Sequence, residues 1–307
     1  MIHWLKRLAA LSAVTLFTAC GGGDDLANIV ETAKADPKLS ILVEAVVAAD
    51  LATTLSGPGP FTVFAPSNDA FAALLTELGL TKAQLLADKP LLTAVLTYHV
   101  LPARVLASGV PLGKAVTTVQ GGIFKVDAVG AGLVITDGRN RTSNITATNL
   151  LTSNGVVHVI DKVLLPADKT IVATAVATPS LSILVEAVIA ANLVDTLSGP
   201  GPFTVFAPTD AAFAALLTEL GVTKAALLAD TALLTKVLTY HVVPGRVLKA
   251  DVPVGQPITT VEGDTFSIDA SLAITDQRSR KANIIATDVL TSNGVVHLVD
   301  KVILPAP

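Results

Sequence analysis

The hexapeptide Phe-Thr-Val-Phe-Ala-Pro occurs twice, at Phe61–Pro66 and Phe203–Pro208, 142 residues apart. Phe61, Val63 and Ala65 alternate with Thr62 and Phe64, the period of two that predicts a short strand with one strongly apolar face. Proline ends the strand, because it has no backbone donor and holds φ at about −65°. Ser67, or Thr209 in the second copy, then offers a side-chain oxygen to the first free amides of a helix. Asn68 and Asp210 follow, and Phe71 and Leu74 (Phe213 and Leu216) open that helix's apolar stripe.

The repetition extends far beyond the hexapeptide. Residues 40–67 and 182–209 are identical at 23 of 28 positions. Tyr98-His99 recurs 142 residues later as Tyr240-His241. After a three-residue difference near positions 129–131 the offset becomes 139, linking His158 to His297. A period this long is a duplicated domain, since solenoid repeats run to roughly 20–50 residues.

The 307 residues suffice for two ordinary domains, and 51% hydrophobic against 15% charged excludes a largely disordered chain. Aromatics are only 4%, so the cores are built from Val, Leu, Ile and Ala. The net charge of −4 comes with no basic tract, which excludes a nucleic-acid partner.

The start of the chain reads as an export signal over residues 1–19. Lys6 and Arg7 precede an apolar run at residues 8–17 that is too short to span a bilayer. Phe17-Thr18-Ala19-Cys20-Gly21 looks like the lipobox of bacterial lipoproteins, in which the cysteine is lipidated and becomes the mature N-terminus. Phe17 departs from the leucine usual at that place, and an ordinary cleaved signal beside an incidental cysteine is the other reading. Lipidation of Cys20 is favoured, because the chain's lone cysteine has no disulfide partner. Residues 20–25 then form the lipidated cysteine and a Gly-Asp tether. Removing residues 1–19 takes away Lys6 and Arg7 and leaves a mature charge of −6.

Along the first copy, helices are expected at residues 27–35, 39–49, 69–78, 81–87 and 90–97, with a Gly/Pro turn at 55–60 and Gly79 as a C-terminal cap. Strands are expected at 98–101, 114–119, 123–126, 133–136, 144–148 and 156–165. The last of these is almost continuously apolar and belongs in the middle of a sheet. Ser153-Asn154-Gly155 marks a tight turn before it. Helices first and strands afterwards make an α+β domain.

These residues carry a family resemblance. The hexapeptide with its capped helix, then Tyr-His, then Asn-Gly-Val-Val-His-Val-Ile-Asp-Lys-Val-Leu-Leu-Pro, occur in that order in the first copy, and the second repeats them with small changes. Together they resemble the fasciclin (FAS1, beta-Ig-h3) domain. The resemblance implies two tandem fasciclin-like domains, at residues 26–166 and 171–307, each a β-wedge of about seven strands with helices packed over it. Residues 167–170 would be a short linker that limits independent movement. The resemblance further implies adhesion or extracellular interaction in a secreted or membrane-anchored protein.

Tyr98-His99 and Tyr240-His241 match the motif that animal members associate with receptor binding. Their residue chemistry favours buried, internally hydrogen-bonded core-edge residues instead. His158 and His297 lie in the most apolar strand and read as satisfied core histidines, not metal ligands. No nucleophile elbow, P-loop or dinucleotide fingerprint is present, so neither an enzyme nor a cofactor is expected. Arg139, Arg141, Arg278, Arg280 and Lys281 form matching basic loops. They read as solvated turns, with contact to an anionic polysaccharide or envelope phosphates as the functional alternative.

The expectation is a non-enzymatic protein lipid-anchored in the bacterial envelope, at the outer membrane or periplasmic face, or secreted if the lipobox is not processed. Its partner would be a cell-surface or matrix protein or polysaccharide, with the membrane touched through the lipid alone. The second expectation is a carrier of a small hydrophobic ligand held between helices and wedge.

Overall fold

A computed structural model describes residues 26–307; the export signal, Cys20 and the tether lie outside the described residues. In the first domain α1 (Ile29–Ala35), α2 (Ser40–Ala48) and α3 (Ala52–Ser56) lead into β1 (Phe61–Pro66). Helices α4 (Asn68–Leu78), α5 (Lys82–Ala87) and α6 (Lys89–Tyr98) follow. The remaining strands are β2 (Val100–Leu101), β3 (Ala115–Thr117), β4 (Ile123–Val129), β5 (Gly132–Thr136), β6 (Thr142–Thr152) and β7 (Gly155–Ile160).

The second domain repeats the order. It runs through α7 (Ile171–Val176), α8 (Ser182–Ala190), α9 (Val194–Ser198), β8 (Phe203–Pro208), α10 (Asp210–Leu220), α11 (Lys224–Ala229) and α12 (Thr231–Tyr240). Strands β9 (Val242–Pro244), β10 (Pro257–Thr259), β11 (Thr265–Ile268), β12 (Ala273–Thr275), β13 (Lys281–Thr291) and β14 (Gly294–Val299) complete it. Each domain is α+β with one seven-stranded sheet, ordered β2-β1-β7-β6-β5-β4-β3 in the first and equivalently in the second.

Local chemistry sets the element boundaries. Ser67 accepts from the Ala70 amide at the start of α4, and Gly79 ends that helix at φ 65°, the left-handed geometry glycine adopts freely. Asn28 with Glu31, and Thr81 with Gln84, form reciprocal caps on α1 and α5. Strand β7 lies parallel to β1, from Phe61 opposite Gly155 to Pro66 opposite Ile160, and antiparallel to β6 on its other side. Its apolar run is thus interior to the sheet. The turn residue Asn154 reaches out of the hairpin: its Oδ1 accepts from the Ile29 amide, and its Nδ2 donates to the Leu55 and Gly57 carbonyls. Asn293 does the same for Ile171, Leu197 and Gly199. One side chain thereby fixes the first helix and the end of the third against the sheet.

Both faces of the hexapeptide strand are buried, which corrects the expectation of a single apolar face. Val63 and Ala65 pack with Leu42, Phe71, Leu96 and Val157 under the helices. Phe64 points the other way, into a second core inside the wedge with Tyr98, Phe124, Ile135 and Ile160. Its ring meets Phe124 edge-on at 5.1 Å; burying a ring of this size contributes about 1.5–3 kcal/mol. Even Thr62 is buried, its Oγ1 donating to the Ala103 carbonyl and accepting from the Val105 amide.

Four boundaries in particular differ from expectation. The turn expected at 55–60 begins inside α3, which holds Leu55 and Ser56. Tyr98 closes α6 instead of opening a strand. Strand β6 runs on to Thr152 through Asn149, a residue at φ 59°, because Leu150 and Leu151 resume the pairing with Val157 and Val156. The end of the 156–165 run leaves the ladder at Ile160, and the amides of Leu164 and Leu165 bond to side chains instead.

Candidate functional site

The Tyr-His pairs are interior. Tyr98 is 0% exposed, and its hydroxyl donates to the Ile123 carbonyl. Helix α6 ends at Tyr98, so His99 falls between helix and strand with both ring nitrogens engaged. Its Nδ1–H donates to the Val95 carbonyl at 2.7 Å, which leaves Nε2 to accept from the Leu164 amide at 2.9 Å. This arrangement requires the neutral ring. Burial holds its pKa down at about 4, against a weaker opposing pull from the Val95 carbonyl. Tyr240 and His241 repeat the arrangement, with bonds to Thr265, Val237 and Ile303. His158 accepts from the Asn149 amide, donates to the Val105 carbonyl and stacks on Phe64. As they stand, the pairs offer no polar atom to a partner.

The basic loops also turn inward. Asp137, 1% exposed, accepts at Oδ1 from the Arg139 and Arg141 amides and at Oδ2 from the Leu165 amide. The Arg141 guanidinium lies on that carboxylate at 2.8 Å, on Glu77 at 2.7 Å and on the Val163 carbonyl at 2.6 Å. Arg280 reaches Glu219 and the Val302 carbonyl, Arg278 donates to the Pro305 carbonyl, and Arg139 pairs with Asp168. The expected solvated cluster is therefore corrected in part: these four guanidinium groups brace their own chain, and of the group only Arg278 and Lys281 are exposed. Leu165 lies 28 residues from Asp137 and Glu77 lies 64 residues from Arg141, so charge counting within the loop could not show the pairing.

The first-domain loop has a further role. Asn140 donates through Nδ2 to the Leu290 carbonyl and accepts at Oδ1 from the Leu290 amide, a two-bond clasp onto β13 of the second domain. Lys125 on β4 crosses the same junction to Asp288 at 2.9 Å, with Asp127 at 3.2 Å. Burial disfavours the Lys125 ammonium, but the two carboxylates outweigh it and raise its pKa. Asp288 is held in turn by the Lys249 amide at Oδ1, and its own amide donates to His297. Ile123 packs with Leu248, Leu290 and Val295 beside these polar contacts. The Ser292 amide donates to the Lys169 carbonyl, tying the linker down as well. At the junction the two copies stop being equivalent: Ser267 and Ser279 stand in the second copy where the first has Lys125 and Asn140.

The fasciclin-domain family model matches residues 37–166 and 179–305, one match per copy. The chain belongs to the fasciclin domain family. Protein sll1483 of Synechocystis sp. is 46% identical over 140 residues, covering 44% of this chain and 73% of that protein. Transforming growth factor-beta-induced protein ig-h3 of Oryctolagus cuniculus is 30% identical over 291 residues, covering 94% of this chain but only 41% of that protein. A solved FAS1 domain pair from the insect cell adhesion molecule fasciclin I aligns with 90% of this chain at 20% identity and a TM-score of 0.42.

In this fasciclin pair the space between helices and wedge is small. Each domain has an apolar cavity of about 30 Å³ there, lined in the first by Ile29, Leu42, Val46, Val63 and Leu96. That is about the volume of one water molecule in the liquid, against roughly 300–1,000 Å³ for a small-molecule site. The second domain has a further apolar cavity of about 90 Å³ lined by Phe213, Leu216, Leu227 and Leu234, and a hydrophobic cargo larger than these spaces would need the helices to part. Among the described residues no group of three or more His, Cys, Asp or Glu is placed to hold a metal ion, and no helix is long and apolar enough to cross a membrane. The larger spaces lie at the junction, on either side of the Asn140 clasp, at about 390 and 450 Å³.

Proposed function

We propose that this fasciclin pair is a binding protein of the bacterial envelope, exported and held to the membrane by lipid on Cys20, that presents its two domains as one stiff adhesive unit. The double fasciclin match carries this reading. The junction supports it, because a buried lysine–carboxylate contact and an apolar cluster limit hinging between the copies. Stiffness matters to adhesion: a ligand engaging both domains loses less conformational entropy than one that must first align them.

The test is envelope fractionation with a paired adhesion assay. The wild-type chain is expected in the membrane fraction and should increase cell attachment to matrix-coated surfaces. Cys20→Ser is expected to move the protein to the soluble fraction and abolish the increase, since acyl chains need the thiol. Equal membrane partitioning of the Cys20→Ser chain would overturn the anchor. Attachment unchanged by deleting the gene would overturn the adhesive role.

A further inference from the structure

Arg246, Leu248 and Leu290 of the second domain meet the first domain at the junction. Their equivalents in the first domain, Arg104, Leu106 and Leu151, are all exposed. Two contacts show that the local geometry is shared. The Ala107 amide donates to Asn149 Oδ1 as the Lys249 amide does to Asp288. The Ser153 amide donates to the Ala27 carbonyl as the Ser292 amide does to that of Lys169. The first domain therefore carries the same face uncovered, at the point where the chain enters it. Leu26, just before that entry contact, is 49% exposed, and its equivalent Asp168 lines one junction space together with Leu290. Three exposed leucines and one arginine thus share a face.

The charges on the two faces differ in a consistent way. Asp168, Lys169 and Lys249 of the second domain correspond to Leu26, Ala27 and Ala107 of the first, and Asp251 and Asp288 correspond to Gly109 and Asn149. Five charged groups are replaced by uncharged ones, and Arg104 alone is kept. A face that loses its charges while its leucines stay in water marks contact with an apolar boundary. Another copy of the chain offers no match, because Ser267 and Ser279 replace the gripping Lys125 and Asn140 on its second domain. What the chain itself brings to this face is lipid. Cys20 lies six residues before Leu26, a stretch that spans at most roughly 20–22 Å when fully extended.

We infer that the first domain rests this face on the phospholipid surface that holds Cys20, with Leu26, Leu106 and Leu151 entering the boundary between headgroups and acyl chains and Arg104 on a lipid phosphate. In such an interfacial contact the apolar groups leave water while the cation stays at headgroup level. A planar guanidinium matches a phosphate in two parallel bonds. Asp24 and Asp25 precede Leu26 and oppose any general attraction to anionic lipid. The leucines therefore drive the contact, and it forms on zwitterionic bilayers as well. The anchor makes a weak contact sufficient, because it holds the face at high effective concentration over the bilayer. The inference rests on the lipid anchor proposed above and adds which side of the molecule meets the membrane.

The experiment couples the mature chain, residues 20–307, through Cys20 to a maleimide lipid in phosphatidylcholine vesicles, with and without brominated acyl chains. The chain's one tryptophan, Trp4, lies before Cys20, so Leu106→Trp, Leu151→Trp and Val254→Trp each carry a single reporter. Val254, 50% exposed on the second domain, is the control. Brominated lipid is expected to quench the first two several-fold more than the third, and adding Arg104→Glu to Leu151→Trp should reduce its quenching. The wild-type chain gives a measurement that needs no substitution: amide hydrogen exchange over residues 104–109 and 147–151 should slow on coupling, with residues 250–256 unchanged. Quenching no greater at positions 106 and 151 than at 254, or exchange unaltered by coupling, would overturn the lipid contact. Shielding of both tryptophans in the uncoupled chain, with a doubled mass in ultracentrifugation, would assign the face to a second copy and overturn it too. Coupling supplies the anchor chemically, so failure here concerns the face alone, whereas a missing native anchor shows in the Cys20→Ser fractionation.

Discussion

The Lys125 ammonium of the first domain stands 2.9 Å from the Asp288 carboxylate of the second, with their side chains 14% and 3% exposed. The first domain has Asn149 where the second has Asp288, and both residues share a positive φ of 59° and an amide donated to a core histidine. A shared backbone device thus carries a charge only in the copy that receives Lys125.

Asp288→Asn installs the first domain's residue in the second and should weaken the junction by about 1.5–3 kcal/mol, the range for a hydrogen bond to a charged group. Lys125 keeps Asp127 at 3.2 Å, which limits the loss. Calorimetric unfolding is expected to change from one transition to two, as the domains lose their mutual support. Lys125→Met together with Asp288→Asn should recover part of the loss, since neither charge is then buried alone. An unchanged single transition in Asp288→Asn would show that the pair contributes nothing.

The buried histidines make stability pH-dependent in a defined direction. His99 and His241 are neutral in the fold, with burial depressing their pKa from 6.5 to about 4. Below the unfolded value the unfolded chain binds protons that the folded chain refuses. Stability should therefore be complete above pH 6.5 and fall between there and pH 4, by on the order of 3 kcal/mol for each ring. His158 and His297 are shifted the same way, chiefly by burial. Melting temperatures at pH 7.0, 5.5 and 4.5 should decline steeply, and His99→Gln should flatten the profile; a level curve would mean that the rings are protonated in the fold.

Arg141→Lys should destabilise the first domain by about 2 kcal/mol, because an ammonium cannot bridge Asp137, Glu77 and the Val163 carbonyl at once. Arg280→Lys should cost less, since Arg280 pairs with Glu219 but makes no side-chain bond to Asp276. Urea unfolding of the two variants measures the difference. Equal losses would mean that the aspartate bond adds nothing at Arg141.

Local chemistry was legible in the sequence wherever neighbours in the chain are also neighbours in space. The hexapeptide strand, its Ser67 cap and the Gly79 stop follow from a dozen consecutive residues, and the long offset between copies exposes the duplication. Partners far apart in sequence were not legible. Arg141 looked solvated because Glu77 and Val163 lie on other elements, and Phe64 looked like the weaker face of β1 because the wedge core forms only after β4, β5 and β7 close around it. Arg246 gave no signal at all, since its partial burial, unlike the exposure of Arg104, arises only where the two domains meet.

The junction is a head-to-tail contact, one face of a domain against a different face of the next, the geometry that propagates into open filaments unless something stops it. The exposed first-domain face keeps Leu106 and Leu151, at 41% and 48% exposure, in the places where Leu248 and Leu290 are covered. Its acceptor for an incoming lysine is the uncharged Asn149. On the far side of the second domain, Thr265, Ser267 and Ser279 stand where Ile123, Lys125 and Asn140 would make the grip. Neither half of the contact is intact at the outer ends. The substitutions that divide the two copies thus leave each outer face without the groups that make the junction, so the same docking has no counterpart at either end of the pair.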